Sequence, residues 1–163
     1  MQLVVHHRGA DFFDVDYHIF PIFDGEPDKI GHWLVGITKL GRKDGALMLN
    51  VHLIDSVPGQ SRKNRAFQVI RNFYLEKYRF MHDGAELPPQ SIRQRSRTYL
   101  SQSNGYDCGP FVMYHMWRFF TFEGFRSSLS PIPDPTDVGM YMRQKFNESM
   151  GISDVPSDSE EVE

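Results

Sequence analysis

Short alternations of apolar and polar residues dominate the first third of the chain. The stretch "VDYHIFPIF" (15–23) reads as a strand, and Pro21, which has no N–H to give to a ladder, places it at a sheet edge or a bulge. A polar loop, "DGEPDKIG" (24–31), follows. "HWLVGITKL" (32–40) and "LMLNVHLID" (47–55) are two further strand-like runs separated by "GRKDGA", where Asp44-Gly45 is a hairpin signal.

The period then lengthens. "RKNRAFQVIRNFYLEKYRF" (62–80) spaces Phe67, Ile70, Phe73 or Tyr74, and Tyr78 as one face of an amphipathic helix. After the loop "HDGAELPPQS" (82–91), "SRTYLSQ" (96–102) reads as a short strand. "CGPFVMYHMWRFFTFEGF" (108–125) is apolar on nearly every side, as a buried central helix would be, with Trp117 in the core and His115 structural. "PIPDPTDVG" (131–139) breaks the chain, and "VGMYMRQKFNESM" (138–150) reads as a final surface helix. The acidic "SDVPSDSEEVE" (153–163) is expected to be a disordered tail, leaving residues 1–152 as one domain. Strands and helices alternate imperfectly, so the fold class expected is α+β rather than a doubly wound sheet.

Composition narrows the function. A chain of 163 residues with 40% hydrophobic and 13% aromatic content has enough material for a real core. Net charge is only −3, and the Arg-rich "SIRQRSRTYL" is too short to make a nucleic-acid surface, so no nucleic-acid partner is expected. No apolar run approaches a membrane span and no signal peptide is visible, so neither membrane nor secretion is expected. The one cysteine cannot form an internal disulfide, which suits a reducing, intracellular setting in nucleus or cytoplasm. Seven scattered histidines show no paired ligand spacing, so no metal is expected.

That single cysteine, Cys108, sits in "QSNGYDCGPF" (102–111), between a polar turn and the apolar helix. A lone cysteine is most often a small core filler. At a helix start it can also be a nucleophile, because the positive end of the helix dipole favours the thiolate. A nucleophilic thiol needs a base, and the base needs an orienting group. The hairpin offers both. A turn centred between Lys43 and Asp44 sets His32 opposite Asp55. A turn with Asp44-Gly45 as its two central residues sets them diagonally on the same face, and a three-residue loop would separate them. His52, three residues from Asp55 on one strand, points the other way. Acyl transfer also requires N–H donors for the developing oxyanion. The backbone N–H of Cys108 is one candidate. The side-chain amide of Gln102, which Asn104-Gly105 can fold back toward the cysteine, is another.

The blocks "GHWLVGI", "LIDS" and "QSNGYDCGPFV", in that order, resemble the Ulp/sentrin-specific protease family, papain-like (Ulp/adenain-type) cysteine peptidases that cleave SUMO and related ubiquitin-like proteins. The likeness runs from about Asp11 through the central helix and is looser in the last one. It implies an α+β papain-like domain whose mixed sheet packs on a central helix that starts at the catalytic cysteine. It implies Cys108 as nucleophile, His32 as general base, Asp55 as its orienting residue and Gln102 as oxyanion donor. Trp33 would be one wall of a tunnel for the substrate's Gly-Gly tail. The partner implied is a ubiquitin-like protein, SUMO first, with its conjugates, acted on by a monomer without a cofactor. Pro110, where the family usually has an aliphatic residue, fits a first helical turn. The Trp-Leu-Asn/Asp motif that supplies the family's second tunnel wall has no counterpart before Asp11, so weaker processing is expected of these residues alone. Two other readings fit the same residues: a module that binds a ubiquitin-like protein without cutting it, and a deneddylase or deubiquitinase with the same mechanism.

Overall fold

The computed structural model describes residues 12–26, 31–57, 59–95, 100–121 and 135–151. Its elements are strands β1 (Tyr17–Asp24), β2 (His32–Lys43), β3 (Ala46–Ile54) and β4 (Ile92–Arg95), and helices α1 (Gln60–Met81), α2 (Cys108–Thr121) and α3 (Pro135–Ser149). The fold is α+β. The sheet runs β1-β2-β3-β4, with the first three strands antiparallel and β4 parallel to β3. Parallel neighbours need a crossover. The 22 residues of α1 provide it.

The hairpin turn resolves the register. Lys43 pairs with Ala46, and Asp44 and Gly45 take φ of 51° and 79°. Two successive positive φ values make the mirror-image turn whose twist suits a hairpin, which is why an Asp-Gly pair stands there. Of the registers open to the sequence, this is the diagonal one for His32 and Asp55. Pro21 lies on β1, the outermost strand of the described sheet, and is exposed.

Strand alternation gives the sheet two apolar faces. On one, Phe20, Ile22, Leu34, Leu49, Val51 and Leu53 pack with Ala66, Ile70 and Tyr74 of α1. On the other, Val35, Ile37 and Ile54 pack with Val112 and Phe119 of α2. Each fully buried side chain of this size contributes about 1.5–3 kcal/mol. Gly36 lets α1 come close: a Cβ there would sit 2.6 Å from Ile70 Cδ1. Phe111 and Tyr114 turn from the sheet toward Val138 and Met142, so α2 is clasped between the sheet and α3.

Three expectations change. The fourth strand is Ile92–Arg95; residues 100–102 are not strand, and 96–99 lie outside the described residues. A stretch reading "IRQR" carries almost no apolar signal, and pairing with β3 after the crossover makes it a strand. Trp117 is 39% exposed and lies beside Tyr141 rather than in the core. With Met113 and Phe120 it forms an exposed side of α2, so that helix is buried on two sides and not all round. The last helix opens at Pro135, not Val138, because proline's fixed φ suits a first turn. The acidic tail 153–163 lies outside the described residues.

Candidate active site

His32 is the first residue of β2 and Asp55 follows the last residue of β3, so the hairpin delivers both to one end of the sheet. His32 Nε2 donates to Asp55 Oδ1 at 2.7 Å. An ionised carboxylate only accepts, so the hydrogen sits on Nε2 and the neutral ring keeps its lone pair on Nδ1. Asp55 is 5% exposed. Its Oδ1 also accepts from the backbone N–H of Val57 at 3.0 Å, and its Oδ2 accepts from Arg62 Nη1 at 2.9 Å. Three donors offset the cost of burying that charge. His52 pairs with Ile37 on the face that α2 covers, away from Asp55.

Cys108 opens α2 and is 7% exposed, with its thiol free. The turn before it is held by Asn104, whose Oδ1 accepts the backbone N–H groups of Tyr106 and Asp107 at 3.1 and 3.0 Å. Asn104 Nδ2 donates to Asp107 Oδ2 at 2.6 Å. The Asp107 carbonyl takes the first helical bond, from Phe111 N–H at 3.0 Å. The buried Asp107 side chain is ion-paired to Arg143 of α3 and lies against Gly139, where any Cβ would collide with its carboxylate. The cysteine is thus placed at the start of a helix whose first turn is fixed from both sides.

Gln102 joins the two halves. Its backbone N–H donates to the Ser56 carbonyl at 2.9 Å, and its Oε1 accepts from Ser56 Oγ at 2.5 Å. Its Nε2 donates to the Asn104 carbonyl, which leaves a second N–H on the amide. The turn that leads to Cys108 is therefore hydrogen-bonded to the residue after Asp55. Trp33, beside His32, is 40% exposed and packs against Phe23 with ring centroids 5.1 Å apart, so it is a surface aromatic at the site rather than core. Burial lowers the His115 imidazole to about 4, a neutral ring beside Phe111 and Tyr114. Among the described residues no group of three or more His, Cys, Asp and Glu side chains gathers as a metal site.

The five residues singled out in the sequence all lie in described positions. The structure bonds His32 to Asp55 and bonds Gln102 to Ser56, the next residue along; Cys108 opens α2 six residues after Gln102, and Trp33 follows His32 on β2. Sequence reasoning did not find Arg62, Ser56 or the Asn104–Asp107–Arg143 set. Arg62 had a signal: it stands seven residues after Asp55, in the first turn of a recognisable helix. Arg143 had none, since its pairing with Asp107 is purely tertiary.

A cysteine opening a central helix, a histidine bonded to a buried aspartate at the end of a mixed sheet, and a glutamine bonded to the residue that follows that aspartate are the parts of the papain-like type of thiol peptidase. The chain belongs to the Ulp1 protease family, whose C-terminal catalytic domain it matches over residues 4–153. It is 25% identical over 123 residues to Ubiquitin-like-specific protease 1C of Arabidopsis thaliana, a match that takes in 69% of this chain and 20% of that protein. The chain thus spans about a fifth of that relative. Its fold is similar to a solved de-sumoylating protease, with a TM-score of 0.58 and 17% identity, over 88% of this chain and 64% of the other.

Proposed function

We propose that this chain is a cysteine peptidase that cleaves the peptide or isopeptide bond after the Gly-Gly end of a ubiquitin-like protein, SUMO first among them. The observation that carries the reading is the 2.7 Å His32–Asp55 hydrogen bond in a Ulp1-family catalytic domain. Support for SUMO comes from the de-sumoylating protease of similar fold and from the ubiquitin-like-specific relative.

In this reading His32 Nδ1 takes the Cys108 thiol proton. The thiolate attacks the carbonyl carbon of the terminal glycine, and the electron pair moves onto the carbonyl oxygen. The Cys108 backbone N–H and the second N–H of Gln102 Nε2 stabilise that oxyanion. The C–N bond then breaks as protonated His32 gives its proton to the leaving amine, leaving a thioester on Cys108. Water, deprotonated by His32, hydrolyses the thioester and frees the modifier's carboxylate. Two glycines offer no side chain to hold, so a flat exposed ring such as Trp33 covers them closely.

The test is labelling by a SUMO molecule ending in a thiol-reactive electrophile, run beside the ubiquitin and NEDD8 counterparts. Labelling at Cys108 that is lost in Cys108→Ser supports the peptidase, and the preferred probe names the modifier class. Cleavage by Cys108→Ser at the wild-type rate would sink the thiol mechanism.

A further inference from the structure

Arg62 is a cation at the site to which the proposed mechanism assigns no task. It enters from the first turn of α1 and is bound on two sides. Its Nη1 donates to Asp55 Oδ2 at 2.9 Å, the oxygen that His32 does not use. Its Nε lies 3.3 Å from Asp24 Oδ2, an oxygen that also accepts from Arg65 Nη2 at 2.8 Å. The Asp55 side chain is fully buried, while those of Arg62 and Asp24 are 24% and 35% exposed. A carboxylate held by a different donor on each oxygen cannot rotate without breaking one of the bonds.

We infer that Arg62 is a positioning residue for the base, which fixes the rotation of the Asp55 carboxylate and weakens its hold on protonated His32. This rests on the proposed roles of His32 and Asp55. The charges around His32 define the sign. Asp55 at the end of β3 favours the imidazolium. Asp24 on β1, in register with His32, is taken up by Arg62 and Arg65 from α1. Cys108 is the titratable group that α2 brings at its first residue. Arg62 shares the Asp55 charge and itself repels the imidazolium. Two effects follow: the ring stays aimed, and it releases its proton to a leaving amine more readily than an unshared aspartate would allow.

The experiment titrates His32 by NMR in the whole chain, with the resonance assigned through His32→Gln. Wild type is compared with Arg62→Met, Arg62→Gln and Arg62→Lys. A unit charge bridged to the imidazole through one carboxylate, in a partly solvated site, is worth about 0.5–1 pH unit. The His32 midpoint is expected to rise by that amount in the Met and Gln variants and to stay in place with Lys. Gln keeps an N–H donor, so it reads the charge alone and serves if the Met variant does not fold. With a SUMO-derived substrate, the acidic limb of kcat/KM, where the base must lose its proton to act, moves up with the midpoint. Loss of aim lowers kcat by about 10-fold at unchanged KM, and Lys restores part of it. An unchanged His32 midpoint in both the Met and Gln variants, or a Lys variant that shifts like Met, overturns the inference. The titration needs no turnover, so it decides on Arg62 even if the chain cleaves no ubiquitin-like substrate, a result that would count against the proposed function alone.

Discussion

The two halves of the candidate site, one proposed to hold the base and the other the nucleophile, are built on one plan with different reach along the chain. In each, a buried aspartate near the proposed group in sequence or in space is ion-paired to an arginine from a helix: Asp55 to Arg62 of α1, and Asp107 to Arg143 of α3. The base half is nearly local. One two-residue turn joins the strands that carry His32 and Asp55, and Arg62 comes seven residues later. The nucleophile half draws on Arg143, which lies 36 residues beyond its partner and on another helix. The base is therefore held by a hairpin, whereas the thiol is held by the docking of α3.

The largest effect expected within that contrast is on the base side. His32→Ala should lower turnover by about 10²–10⁴-fold, as loss of a general base does. His52→Ala, measured per folded molecule, should leave kcat within a few-fold, since His52 lies on the other face. A dead His52 variant beside an active His32 variant would show that the hairpin carries the wrong histidine. At the junction of the halves, Gln102→Ala should cost on the order of 10² in kcat if its amide serves the oxyanion. Ser56→Ala should give a smaller loss in the same parameter, because it removes the donor that aims that amide.

Stability separates the halves next. Arg143→Ala strands the buried Asp107 carboxylate and should lower unfolding free energy by about 1–3 kcal/mol, read from denaturant midpoints. Arg143→Ala with Asp107→Asn should recover much of that loss. A double variant no more stable than the single one would mean that the pair does not dock α3.

A pH dependence confined to α2 completes the contrast. His115 on α2 is lowered to about 4, chiefly by burial, from its ordinary 6.5. Because the unfolded chain takes up a proton that the folded chain refuses, this residue's contribution is complete above pH 6.5. It is lost progressively as pH falls toward 4. His115→Gln should flatten the melting temperature across that window. An unchanged slope would show that the ring is not held neutral by its surroundings.

The same contrast explains what could be read from the sequence. The base half was legible because period-two alternation and an Asp-Gly turn constrain which side chains share a face. Only the choice between opposite and diagonal pairing needed the backbone. On the nucleophile side the helix start at Cys108 was legible from the polar-to-apolar step. Its support was not, since nothing local connects Asp107 with Arg143 or explains Gly139 beneath the carboxylate. Trp117 was misplaced for a related reason. A uniformly apolar helix does not announce which side faces outward, and that depends on where α3 lies. The strand Ile92–Arg95 escaped notice because its pairing comes from the α1 crossover rather than from its own side chains.

The order of the parts along the chain has a consequence for how the protein is made. Synthesis delivers the N-terminal residues first, and local hairpin contacts form faster than distant ones. The β1–β2–β3 meander and α1 can assemble His32, Asp55 and Arg62 while Cys108 is still on the ribosome. Cys108 follows once that pair is set, and the Arg143 bond that fixes the turn before its helix becomes available only after α3 has emerged. A newborn chain thus carries Cys108 at a helix start that lacks the Arg143 bond until α3 has emerged.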